Sequence, residues 1–113
     1  MNNVWIDACG VDDIDEEDLI RFDHGEQTFC IYNTTKGFYA TDGHCTHEVE
    51  HLEYGVVMDT VIECPLHQGQ FDIPTGKALG GPVCVDLKTY PVKVENDRIY
   101  ICLLYTSPSP RPY

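Results

Sequence analysis

Apolar and polar positions alternate along this chain in short runs, the period of β-strands. Val4–Cys9 (VWIDAC), Glu26–Asn33 (EQTFCIYN), Gly37–Thr41 (GFYAT), Thr60–Glu63 (TVIE), Lys88–Glu95 (KTYPVKVE) and Arg98–Leu103 (RIYICL) are rich in β-branched or aromatic residues. Between them lie DHGE, NTTKG, TDGH, PTGKALGGP and END, dense in the Gly, Pro, Asn and Asp that turns require. TYPVKVENDRIYICLL predicts a closing hairpin, with alternation on each side of Asn96-Asp97 and Pro91 near the strand start, where a missing N–H is tolerated. Only DDIDEEDLI, residues 12–20, offers a helical turn. The pattern predicts an all-β fold, a small antiparallel β-sandwich or barrel.

A length of 113 residues suits one domain with its own core. Residues 1–104 are expected to form it. The final YTSPSPRPY, residues 105–113, loses the alternation and reads as a Pro-rich tail outside the fold; Pro108, Pro110 and Pro112 do not give the P-x-x-P spacing of a Pro-rich ligand. Seven Lys and Arg against 19 Asp and Glu give a formal charge of -12, which repels phosphate backbones and anionic lipid. The expectation is therefore no nucleic acid and no membrane as partner, and a basic surface on whatever the protein meets.

No stretch approaches the roughly 18 apolar residues of a membrane span, and MNNVWIDACGVDDIDEED lacks the basic and apolar regions of a secretory leader. A cytoplasmic location follows as an expectation. In a reducing compartment the six Cys are better read as metal ligands or buried thiols than as disulfides.

Two of those Cys stand in clusters with His. Cys45-Thr46-His47 is followed, after sixteen residues, by Cys64-Pro65-Leu66-His67. Each cluster offers one thiolate and one imidazole, so the four side chains suit either tetrahedral zinc or a binuclear iron–sulfur centre with two Cys on one iron and two His on the other. A Cys₂His₂ finger usually takes both Cys from one cluster and both His from the other. The mixed clusters here, in a strand- and Gly-rich setting, favour two metals bridged by sulfide.

With CTH at 45–47, CPLHQGQFD at 64–72 and PTGKALGGPV at 74–83, the sequence resembles the Rieske family from about Trp5 to Leu103. More narrowly it is similar to the small ferredoxins of bacterial ring-hydroxylating dioxygenases and related oxygenases, and CTHEVEHL and GGPVCVDLKTYPVKVENDRIYI resemble ferredoxins of rhizopine-catabolism type. The resemblance implies the Rieske fold, with a cluster-binding subdomain formed by two loops. It implies one [2Fe-2S] cluster per chain, held by Cys45 and Cys64 on the buried iron and by His47 and His67 on the outer iron. It also implies a monomeric one-electron carrier, not catalytic alone, working between a flavin-containing, NAD(P)H-dependent ferredoxin reductase and a terminal oxygenase. A tightly bound electron-transfer subunit or redox sensor of a larger enzyme is the alternative, with a structural zinc module behind it.

High-potential members of the family carry a disulfide between positions that are Glu50 and Leu66 here, and hydroxyl donors where this chain has Gly69 and Phe71. Those differences predict a potential in the lower part of the Rieske range. Gln68 also replaces the Gly that commonly follows the second ligand His. The 2-His-1-carboxylate iron of a terminal oxygenase sits on a separate domain, and with His24, His44 and His51 the only other His, no residues are left here to build one.

His24, His44 and His51 are expected to be exposed polar residues, while Cys9, Cys30, Cys84 and Cys102 are expected to be buried as small hydrophobes. Trp5 and Phe38 are expected in the core. Pro65, Pro74 and Pro82 are expected to stiffen the loops over the cluster, and acidic residues such as Glu48 and Glu50 to back a docking rim around His47 and His67.

Overall fold

The computed structural model describes residues 2–44, 51–65, 69–80 and 85–105. Eleven strands form three antiparallel sheets among them. The first sheet has the order β1-β11-β10, from β1 (Asn2–Gly10), β11 (Arg98–Tyr105) and β10 (Val92–Glu95). The second has the order β2-β3-β4-β9, from β2 (Asp18–His24), β3 (Gln27–Thr34), β4 (Gly37–Asp42) and β9 (Thr89–Tyr90). The third, small sheet joins β5 (Val56–Met58), β6 (Val61–Glu63), β7 (Gln70–Asp72) and β8 (Ala78–Gly80) in that order.

β3 is the strand on which the layers meet. Phe29 and Ile31 face one way and join Cys9, Ile14, Ala40, Ile99 and Ile101 in a core against the first sheet. Cys30 and Tyr32 face the other way and join Leu52, Ile62, Cys64, Phe71, Ile73 and Leu87 in a core against the small sheet. A strand covered on both faces reads as a continuous apolar run, which is why FCIY shows no polar alternation. Each fully buried large side chain contributes about 1.5–3 kcal/mol to this arrangement.

The predicted closing hairpin is present, with Glu95 opposite Arg98. Asn96 and Asp97 have φ of 51° and 64°, the pair of left-handed residues that a two-residue hairpin turn needs. Lys88–Glu95, expected as one strand, is two: β9 pairs with β4 and β10 with β11. Pro91 stands between them, where its missing N–H interrupts the ladder and its carbonyl accepts from Cys102 N at 2.9 Å.

The expected helical turn over residues 12–20 is corrected. A single 3-10 turn occupies Val11–Asp13, with Gly10 N donating to Asp13 Oδ2 at 2.8 Å, and β2 begins at Asp18. Tertiary pairing overrides local preference, because Leu19 and Ile20 stand opposite Tyr32 and Ile31 on β3. Trp5 is likewise not a core residue. It lies on the outer face of the first sheet, 37% exposed, with Lys93 Nζ 4.6 Å from its ring centroid. Phe38 packs, partly buried, against the core shared with the first sheet. β11 runs on to Tyr105, opposite Asn2, one residue past the expected edge of the domain. No helix among the described residues is long and apolar enough to cross a membrane.

Candidate functional site

Of the four sequence-predicted ligands, Cys64 is described; Cys45, His47 and His67 lie outside the described residues, as do Glu48, Glu50, Pro82 and Cys84. What the structure defines is the footing of the two segments that carry the sequence-predicted ligands. The first segment leaves β4 through Asp42-Gly43-His44 and returns at His51-Leu52. Gly43 N donates to Thr28 O at 2.8 Å, Leu52 N donates to Gly43 O at 2.9 Å, and His44 and His51 form an antiparallel bridge. Their rings lie 4.5 Å apart, so His44 is exposed as expected while His51 is half-buried against it. Gly43 is needed at this close approach, since a Cβ there would lie 2.6 Å from Thr28 Cγ2 and 3.0 Å from the Thr28 carbonyl.

The second segment links β6 to β7 and is closed in the same way, by Cys64 N donating to Gly69 O at 2.7 Å. Just outside that bond, Gln70 Nε2 donates to Glu63 Oε1 at 3.0 Å. The two footings share a core, because Leu52 and Cys64, both 0% exposed, belong to the cluster containing Ile62 and Phe71. Arg21 on β2 adds a surface tie, with Nη1 2.9 Å from Glu53 Oε1 in the 3-10 turn Leu52–Tyr54 and Nε 2.9 Å from Asp23 Oδ1. These contacts hold the Asp23 carboxyl below its ordinary range, chiefly through the Arg21 hydrogen bond.

Behind the first footing lies a directed hydrogen-bond chain. Thr41 gives its one hydroxyl proton to Asp42 O at 2.8 Å, so Tyr32, 2.7 Å from Thr41 Oγ1, is the donor in that pair. Burial pushes the Tyr32 phenol well above its ordinary value. Burial also raises the Cys30 thiol, to about 12, and the Cys9 thiol, to about 11. Cys9, Cys30 and Cys102 are thus buried thiols, as expected. Tyr90 O–H donates to the Asp42 carboxylate at 2.6 Å, and burial followed by that bond raises its pKa.

A buried Cys at the mouth of a closed turn, beside a second footing that continues into Cys45 and His47, fits the donor set of a sulfur- and nitrogen-ligated metal centre. Phe71 is fully buried opposite Ile62, so an aromatic ring without hydroxyl lies in the core that contains Cys64. His24 is exposed, its ring stacked 6.3 Å from that of Phe22. Arg21, Asp42, Glu63, Gln70 and Tyr90 carry no signal in the sequence that marks them as site residues. The Asp42–Tyr90 and Arg21–Glu53 partners are 48 and 32 residues apart, and only the fold brings them together.

Residues 4–91 match the family model described as the Rieske [2Fe-2S] domain. The chain is 45% identical over 101 residues to the ferredoxin component of naphthalene 1,2-dioxygenase/salicylate 5-hydroxylase systems from Ralstonia sp., covering 89% of this chain and 97% of that protein. It is 44% identical over 103 residues to the ferredoxin component of the 2,4-dinitrotoluene dioxygenase system from Burkholderia sp. (strain RASC), covering 91% and 99%. Among solved structures, a chain from the complex of reduced oxygenase and oxidized ferredoxin in carbazole 1,9a-dioxygenase superposes with a TM-score of 0.83 at 32% identity, covering 88% of this chain and 94% of that one.

Proposed function

Since the chain belongs to the Rieske [2Fe-2S] domain family, we propose that it is the ferredoxin of a multicomponent oxygenase system, carrying single electrons from a flavin-containing NAD(P)H-dependent reductase to a terminal oxygenase. The observation that carries this reading is identity of 44–45% over nearly the whole length of ferredoxin components of aromatic dioxygenase systems. The related ferredoxin of carbazole 1,9a-dioxygenase, solved in complex with its oxygenase, supports the same kind of partner. The chain is an electron-transfer component and not the oxygen-activating catalyst.

Cys45 and Cys64 would hold the inner iron and His47 and His67 the outer one. The full burial of Cys64 supports its place on the inner side. When bound, the cluster takes up and releases one electron at a potential of roughly -150 to +300 mV. The chain's own residues shape that exchange in three ways. Two thiolates and two neutral imidazoles leave the oxidised centre uncharged, so the electron adds the first net negative charge. Gly69 and Phe71 offer no hydroxyl to stabilise that charge, and the formal -12 of the chain opposes it, which places the potential in the lower part of the range. The closed footings at Gly43–Leu52 and Cys64–Gly69 keep both segments anchored to one core while the charge changes.

The test is the visible absorption and low-temperature EPR spectrum of the purified protein before and after dithionite, with iron and acid-labile sulfide counted. A brown protein with two irons and two sulfides, and a rhombic signal only after reduction, is expected. A colourless, EPR-silent protein containing one zinc would overturn the proposal, and a potential above about +100 mV would overturn its placement in the range.

A further inference from the structure

Each ligand-bearing segment is entered through a half-buried carboxylate that is hydrogen-bonded by a neutral side chain of another strand. Before the first, Asp42 accepts from Tyr90 O–H at 2.6 Å; before the second, Glu63 accepts from Gln70 Nε2 at 3.0 Å. Asp42 stands three residues ahead of Cys45, and Glu63 immediately precedes Cys64. Neither makes an ion pair with a Lys or Arg among the described residues, in contrast to Asp7 with Arg98 and Glu53 with Arg21. The Lys88 ammonium lies over the Tyr90 ring, 5.3 Å from its centroid, and does not reach the Asp42 carboxylate within ion-pair distance.

A neutral donor orients a carboxylate without cancelling its charge, whereas Arg would do both. We propose that Asp42 and Glu63 are electrostatic tuning residues of the redox centre, two oriented anions at the entrances to the ligand segments that disfavour the reduced state. The inference rests on the cluster reading above. Three residues of chain limit the Asp42 to Cys45 backbone distance to about 10 Å. At that range a unit charge in a medium of effective dielectric about 20–40 changes an equilibrium by about four- to fifteenfold. Glu63, adjacent in sequence to Cys64, lies within the same range. The fixed charges are thus of a size to matter, in a chain that lacks the hydroxyl donors of its high-potential relatives.

Mediated redox titrations of the iron–sulfide-loaded protein test this, following the reduced EPR signal in wild type, Asp42→Asn, Glu63→Gln, Tyr90→Phe and the control Glu95→Gln, with iron and sulfide counted for each. Glu95 is exposed, beside the β10–β11 turn and at the end of β10 away from Tyr90. At a fixed applied potential, Asp42→Asn and Glu63→Gln should each raise the reduced-to-oxidised ratio by about four- to fifteenfold over wild type, and Glu95→Gln should leave it within about twofold. Tyr90→Phe keeps the Asp42 charge and removes its donor, so it should lower the ratio. The inference is overturned if both amide variants match Glu95→Gln at full iron content, or if Tyr90→Phe raises the ratio as Asp42→Asn does, which would mark a packing effect. If Asp42→Asn does not assemble a centre, the Glu63 and Tyr90 variants decide. A wild-type protein lacking two irons and two sulfides overturns the cluster reading, and this inference with it.

Discussion

Replacing Gly55 by Ala should destabilise the protein by about 2 kcal/mol, although backbone preference alone predicts the opposite sign. Gly55 closes the turn after the first ligand segment, donating to Leu52 O at 2.8 Å. Its φ of -82° and ψ of -173° are open to any residue, so Ala should gain about 0.4–1 kcal/mol from the lower entropy of the unfolded chain. Space opposes that gain. A Cβ on Gly55 would stand 2.3 Å from Glu63 O and 3.1 Å from both Ile62 Cδ1 and Leu52 O. The obstacle is backbone at the β5–β6 ladder, where Val56 pairs with Glu63, so β5 would have to move by about 1 Å. Overpacking of this kind costs about 1–3 kcal/mol, and a weakened ladder bond about 1 kcal/mol more. The net effect is a fall in melting temperature of about 8–16 °C for a domain of this size. Chemical and thermal denaturation followed by circular dichroism, at matched iron content, measures it. Gly25→Ala is the control, since Gly25 has a φ of 63° but nothing within 4 Å of its Cβ position; it should lose only about 1–2 kcal/mol, from backbone strain. Because β5 pairs with Glu63, which precedes Cys64, strain at that ladder should also lower the iron content of Gly55→Ala but not of Gly25→Ala. A Gly55→Ala protein as stable as wild type, with full iron, would refute the close approach.

Leu52→Ala should cost about 2–5 kcal/mol in denaturant unfolding, because a fully buried side chain is removed from the core shared by both footings; a loss below about 1 kcal/mol would mean that this core is not continuous. Asp97→Gly should stabilise by about 0.5–1 kcal/mol, since the φ of 64° at this position favours Gly and an Asn followed by Gly is the preferred pair for such a turn; unchanged stability would argue against the hairpin geometry. Stability should fall as pH rises above 9. The unfolded Cys30 thiol ionises near 9.0 and the folded one near 12, so above pH 9 the unfolded state binds fewer protons and the loss is about 1.4 kcal/mol per pH unit. Cys30→Ala should flatten that slope between about pH 9 and 11 in paired unfolding measurements, and an unaltered slope would assign it elsewhere. Cys64→Ser should abolish the visible absorption and labile sulfide without converting the chain to a helical or unfolded far-UV spectrum, and retention of both would remove Cys64 from the ligand set.

The longer strands were legible because each carries enough alternating or β-branched residues to show a period. β5, β7 and β8 have three residues each, too few to show one, and β8 falls within PTGKALGGP, which reads as a turn. β2 escapes a sequence reading for a different reason. Its sequence, DLIRFDH, does alternate, with Ile20 and Phe22 packing toward the first sheet while Arg21 reaches Glu53 on the other side. The preceding acidic run favours a helical reading, and only cross-strand pairing with β3 decides the matter. The paired Cys and His clusters were visible from spacing, because a Cys and a His must sit close in sequence to be presented from one turn; of the four side chains, the structure describes only Cys64. The supports of these clusters were not visible: Tyr90 meets Asp42 and Arg21 meets Glu53 only through strand order.

That division places the chemistry and its control on different parts of the sequence. The Cys and His residues lie in two short segments, but their footings draw on β2, β3 and β9 through Arg21, Thr28, Tyr32 and Tyr90. β3 links these supports because both of its faces are buried, one against the first sheet and one in the core that contains Cys64. A shift of Cys64 would have to move Ile62, Phe71 or Leu52, all fully buried, and interiors packed to this density resist such motion. The ends of both ligand segments are therefore fixed by the core and not by the segments themselves. For an electron carrier this matters directly. A centre whose segments are held at both ends by the core keeps those ends in place when one charge is added, and on the proposal above Asp42 and Glu63 are the fixed groups at those ends that bias its potential.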